Sequence, residues 1–196
     1  MKKYLIFVLI LVFAFPSISS AQKVGLKTNA LYWATSTPNL GAEVGMGNRF
    51  SFYIEGGYNP WTFDQSKEVN RKMKHFLVSP EVRYWFCESF NGHFIGINGN
   101  YSQFNVSAIP VPNVFFDIKA PSQEAGDPKT TRNQGWAAGG GITYGYQWIL
   151  GKNWNLEATL GLGYWYTVYD QFESRKCGLF QNTIERHMVG PTRCGL

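Results

Sequence analysis

The side chains of this 196-residue chain best suited to moving protons near neutral pH are its three histidines, His75, His93 and His187. His75 and His187 fall in segments that also carry Asp64 and Asp170, and a His–Asp pair can activate a water or hydroxyl by general-base chemistry. No nucleophile motif accompanies them, and His93 falls at the far end of the strands that carry them. The run Gly139-Gly140-Gly141 lacks the following helix and lysine of a phosphate loop, and is read as clearance and strand bending. Cys87, Cys177 and Cys194 are odd in number and too widely spaced for a zinc pair. Cys87 and Cys177 fall at opposite ends of the strand map, which separates them. No catalytic residue, cofactor or metal site is expected.

A second set of ionisable residues has a more regular placement. Lys27, Glu43, Glu55, Glu81, Arg83, Glu157 and Arg193 all occupy the polar phase of stretches in which apolar and polar residues alternate. Period two means strand. The pattern is longest from Gly135 to Phe172, where Trp136, Ala138, Ile142, Tyr144, Tyr146 and Trp148, then Trp154, Leu156, Leu160, Leu162, Tyr164 and Tyr166, share one phase. Ile149–Asn153 joins the two ribbons. Each exceeds the roughly 5–6 residues common in soluble sheets and suffices for the about 9–11 tilted residues that cross a bilayer.

Aromatic residues stand at both ends of these apolar faces, where amphipathic rings suit two membrane interfaces. Tyr32, Tyr58, Trp61, Trp136, Trp148, Trp154, Tyr164 and Tyr166 are therefore expected to form an interfacial girdle.

The remaining strands are read as Val24–Ala34, Asn39–Met46, Phe50–Asn59, Lys74–Phe86 and His93–Val106, with a last, short one at Met188–Leu196 that reads as truncated. Short connections at Gly47-Asn48, Cys87–Gly92 and Ile149–Asn153 alternate with long ones at Pro60–Met73, Ser107–Gln134 and Asp170–His187. That asymmetry is the mark of up-and-down outer-membrane barrels. The loop holding Pro110, Pro112, Pro121 and Pro128 is read as mobile.

Lys2 and Lys3, the apolar run Tyr4–Phe15, and the small residues Ser19 and Ala21 form a secretory signal over residues 1–21. Without its two lysines, the 18 basic residues fall to 16 against 13 acidic ones, a net of +3. The basic residues are dispersed, so nucleic acid is not an expected partner. No other apolar run is long enough for a spanning helix, so any crossing falls to strands closed on themselves. The expected fold is all-β: an eight-stranded antiparallel up-and-down transmembrane β-barrel over residues 22–196. In so narrow a barrel the interior is filled by side chains. The four acids and three bases would then have to pair into a plug.

Several segments resemble a family of Bacteroidota outer-membrane β-barrels classed as a domain of unknown function. They are Lys27-Thr28-Asn29-Ala30-Leu31-Tyr32-Trp33-Ala34 with Pro38-Asn39-Leu40-Gly41, Gly57-Tyr58-Asn59-Pro60-Trp61-Thr62-Phe63, Pro80 to Cys87, Phe90 to Phe94, and Gly190-Pro191-Thr192. The architecture is similar to OmpA-type eight-stranded membrane domains. The resemblance implies location and fold: the outer membrane of a Gram-negative envelope, with lipid as surroundings, the barrel-assembly machinery as partner during insertion, and surface or fimbrial components as further partners. It carries over no catalytic residue. The expected role is structural or surface-interacting. The alternatives are an enzyme working at the outer rim and a soluble lipocalin-like binding barrel, whose apolar face would line a cavity.

Overall fold

The computed structural model describes residues 23–63, 71–107, 116–119, 131–174 and 178–196. The segment expected to be a secretory signal, Asp64, Cys177 and the four loop prolines lie outside them. One nine-stranded antiparallel sheet accounts for almost every described residue. Its elements are β1 Val24–Lys27, a helical turn α1 Ala30–Ala34, β2 Asn39–Gly45, β3 Phe50–Thr62, β4 Lys72–Trp85, β5 Gly92–Ser107, β6 Phe116–Lys119, β7 Thr131–Ile149, β8 Asn155–Glu173 and β9 Phe180–Gly195. Neighbours follow chain order up and down the sheet, except that β6 is added at the far edge, on β9.

Four expectations about the strands are corrected. The sheet has nine strands rather than eight, because the long connection after β5 contributes Phe116–Lys119. Strand one stops at Lys27, not Ala34. Asn29 caps α1 by accepting from Leu31 N at 3.1 Å, and the Asn39 side chain brackets Asn29 from both sides, accepting its N–H at 2.6 Å and donating to its C=O at 3.0 Å. Bracketed in this way, Ala30-Leu31-Tyr32-Trp33-Ala34 takes the helical turn that alanine and leucine favour. The polar segment after Asp170 is mostly strand, since β8 runs to Glu173 and β9 starts at Phe180, so the last strand is 16 residues long.

The fourth correction concerns closure. The sheet rolls until its first and last parts meet, yet no ladder joins β1 to β9. Contact is made by Ala30 N donating to Leu196 O at 2.8 Å and Asn29 Nδ2 donating to Cys194 O at 2.9 Å. The sheet is therefore not closed.

The two faces of the roll differ sharply. Outward, Leu40, Ile97, Ile142 and Leu160 are 63%, 73%, 69% and 56% exposed. Inward lie Glu43, Ser51, Glu55, Glu81, Arg83, Asn98 and Thr143, all buried. Because successive residues face opposite sides, a one-residue slip would exchange the two sets, and the ladders from β2 to β8 hold one register.

Small residues let the inward groups fit. A Cβ at Gly96 would sit 2.3 Å from Glu81 Oε1, and one at Gly41 2.3 Å from the Tyr53 hydroxyl. Between β7 and β8 the limit is backbone: a Cβ at Gly163 would lie 2.1 Å from Gly140 O, an atom that cannot swing aside. Gly163→Ala is therefore expected to cost about 1–3 kcal/mol by overpacking. Gly151→Ala, where nothing lies within 4 Å, is expected to be neutral; chemical denaturation of the two variants checks this.

Candidate functional site

Alternation aims Lys27, Glu43, Glu55, Glu81, Arg83, Glu157 and Arg193, on β1 to β4, β8 and β9, into the concave face. Curvature then brings strands that are not neighbours within reach. Lys27 Nζ on β1 lies 2.5 Å from Glu43 Oε2 on β2 and also bonds Glu157 Oε2 on β8. Arg83 Nη1 on β4 meets the same two oxygens, at 2.9 Å and 3.0 Å. Two cations thus share two carboxylates in a four-membered ring of alternating charge.

The network continues without a break. Arg83 Nε and Nη2 are each 2.9 Å from Glu81 Oε2, Arg193 Nη1 reaches that oxygen at 3.3 Å, and Arg193 Nη2 bonds Glu55 Oε2 at 2.6 Å. All seven charged residues singled out in the sequence meet in this one cluster. Buried ion pairs survive the cost of desolvation only when geometry and extra hydrogen bonds compensate, and here Ser51 Oγ donates to Glu43 at 2.5 Å while Gln147 accepts from Lys27 at 3.0 Å.

Aromatic rings complete the packing. The Arg83 guanidinium lies 4.3 Å from the Tyr53 ring centroid and 4.4 Å from that of Phe94, with Arg193 4.5 Å from Tyr53. Trp85, fully buried, stands 4.6 Å from Phe94 and donates its indole N–H to Ser51. Tyr53, Trp85 and Phe94 were not singled out as site residues, although they occupy the same strand phase as the charges; that phase was the available signal. Above the charges, Asn98 joins Thr143 at 2.6 Å, Thr192 at 3.3 Å and Asn100 at 2.8 Å. Polar and charged groups thus line the concave face from the short-turn end to mid-sheet.

Of the eight aromatics expected at the interfaces, Tyr58, Trp61 and Trp136 are exposed toward the long-loop end, where Tyr166 is half-buried against Trp136, while Trp148 and Trp154 are exposed toward the short-turn end and Tyr164 is exposed at the middle of β8. Tyr32 departs from the set. Carried on α1 instead of a strand, it is half-buried and within electrostatic reach of Glu55 and Arg193, so it covers the concave face.

Among the described residues each histidine ring is bonded to a single hydroxyl. His75 faces Thr37 Oγ1 at 3.4 Å, His187 bonds the Tyr164 hydroxyl, and His93 bonds Tyr144 at 2.7 Å. Asp170 accepts from Thr183 at 2.7 Å. Among the described residues no group of three or more His, Cys, Asp or Glu is placed to hold a metal ion, and Cys87 and Cys194 are free and exposed. At the short-turn end the Lys23 ammonium, 2.6 Å from Glu88, holds the Glu88 carboxyl below its usual range by hydrogen bond and charge.

An antiparallel up-and-down sheet rolled around a buried charge network is the class that fold and site define. Within it, the chain belongs to the family described as protein of unknown function (DUF3575), whose model matches residues 6–196. No curated protein and no solved structure matches the chain.

Proposed function

We propose that the protein is a small integral outer-membrane β-barrel with a structural or surface-interaction role, its interior plugged by the seven-charge network. One observation carries the reading: the apolar side chains face outward along whole strands while the charges are buried. In water that arrangement loses the hydrophobic gain and keeps the desolvation cost. In hydrocarbon the outward residues match their surroundings and, away from the open seam, the backbone groups are satisfied by the ladders within the sheet. The 19-residue strands β7 and β8, the aromatics at both ends and the secretory signal expected from the sequence of residues 1–21 support the same reading. A lipocalin-like cavity needs the opposite sidedness, and a rim enzyme needs histidines assembled with a partner.

Outer-membrane lipid is then the solvent of the convex face, the barrel-assembly machinery the partner during insertion, and surface or fimbrial components the partners of the long-loop end. The affiliation with OmpA-like Bacteroidota barrels belongs to this proposal. Fractionation tests it: the account expects the protein in detergent-solubilised outer membranes, with a gel mobility that shifts on boiling. Recovery in the soluble periplasm overturns it.

A further inference from the structure

The convex face changes character at one register level near the long-loop end. Tyr58, Phe76, Gln103, Trp136 and Val168 stand side by side across β3, β4, β5, β7 and β8, and all but Gln103 are apolar or aromatic. Two residues further along, the row reads Pro60, Lys74, Asn105, Gln134 and Asp170, and Asn105 donates to Gln134 at 3.0 Å. Lys72, Ser107 and Arg132 follow in the next row. Lys72 and Lys74 share the phase of the exposed Phe76 and Val82, and Arg132 that of the exposed Trp136 and Ile142, so all three cations belong to the convex side.

The three cations form one group. Lys72 is within electrostatic reach of Lys74 and of Arg132, whose strand lies two strand spacings, about 10 Å, from β4. The Arg132 guanidinium lies 4.4 Å from the Phe172 ring centroid, which orients its plane, and its buried Nε has no hydrogen-bond partner. Among the described residues no carboxylate is within ion-pair distance of any of the three. Asp170, the acid of these rows, accepts from Thr183 of β9 at 2.7 Å, on the side away from Arg132, and Glu185 lies further off on β9 itself. Like charges grouped in this way repel, and an anion that joins them removes the repulsion.

We infer that this face binds the phosphomonoester headgroup of a lipid, with Lys72, Lys74 and Arg132 on the phosphate and Phe76 and Trp136 against the apolar part below it. The inference rests on the membrane reading, in which the row of Tyr58, Phe76 and Trp136 lies at the bilayer interface. The cations in the next two rows then stand at headgroup level. Charge selects the headgroup. A phosphomonoester carries about 1.5–2 negative charges near neutral pH and suits several cations, whereas a phosphodiester carries a single charge. Arginine offers a planar fork to two phosphate oxygens, and the lysines act as point charges beside it.

The probes are phosphatidic acid, phosphatidylglycerol and phosphatidylcholine with the same acyl chains. Each is added to the purified, folded protein in neutral detergent micelles, and the lipids retained are counted by native mass spectrometry. Phosphatidic acid is expected to be held about tenfold better than phosphatidylglycerol, and phosphatidylcholine least. Lys72→Gln and Arg132→Gln are each expected to weaken phosphatidic acid binding about tenfold, the size of one lost charge-assisted hydrogen bond. Lys152→Gln, at the opposite end, should leave it unchanged. Glycerol 3-phosphate at the lipid's concentration is expected not to displace it; displacement would make the group a site for free phosphate and overturn the lipid assignment. Equal retention of the three lipids, or equal retention of phosphatidic acid by the parent and both variants, overturns the proposal as well. The lipid comparison is made on the wild-type protein, so the answer does not depend on a variant folding. Because the protein is already folded in micelles, failure here leaves the membrane reading standing, and fractionation tests that reading separately.

Discussion

Replacing Arg83 with methionine is expected to lower the unfolding free energy by about 3–5 kcal/mol, the cost of stranding buried partners when one side of an ion pair is removed. Arg83 is fully buried and touches Glu43, Glu81 and Glu157. Losing its guanidinium leaves three carboxylates with only Lys27 and Arg193 as cationic partners, and removes the group held between Tyr53 and Phe94. Denaturant titration of the folded protein in detergent, followed by tryptophan fluorescence, reads the effect. Glu88→Gln, which breaks the exposed bridge to Lys23, should leave the midpoint unchanged, because exposed pairs contribute little. Should Arg83→Met shift stability no more than Glu88→Gln, the cluster is not a buried plug.

The second large effect lies on the opposite face. Ile142→Arg and Leu160→Arg place a cation at mid-strand positions that are exposed on the convex side. If that side meets hydrocarbon, each is expected to cost about 2–4 kcal/mol and to reduce the fraction that folds into lipid vesicles. Lys152→Glu, in the exposed turn between β7 and β8, alters charge at the bilayer edge and should fold like the parent. In a soluble sheet all three substitutions would be mild.

The facing of individual residues was legible in the sequence because two-residue alternation is strict wherever the two faces meet different surroundings. Glu43, Glu55, Glu81, Arg83 and Glu157 could be assigned to one side with no knowledge of curvature. Which charge bonds which could not. Arg83 and Glu157 are 74 positions apart, on strands separated in the sheet by β5 and β7, and only the roll brings them together.

Local chemistry also concealed two elements. Thr28, Ala30 and Tyr32 continue the alternation of β1, but the Asn39 amide that interrupts it comes from the next strand. Asn182, Glu185 and Arg186 read as polar loop, yet β9 carries them as strand, with Arg186 paired to Asp117 of β6 at 2.6 Å. A strand segment that charges favour on both faces gives no hydrophobic period to read. The open seam was equally hidden, since closure depends on where the last ladder ends and not on any residue type.

The most direct measurement is the sidedness itself. Spin labels on Leu160→Cys and, separately, Thr143→Cys, in a background without Cys87, Cys177 and Cys194, report collisions with oxygen, which concentrates in lipid, and with a water-soluble nickel chelate. The account predicts that the Leu160 label in vesicles is relaxed by oxygen and hidden from nickel, while the inward Thr143 label is reached by neither. A Leu160 label relaxed by the nickel chelate as strongly as one in the Lys152 turn would contradict it.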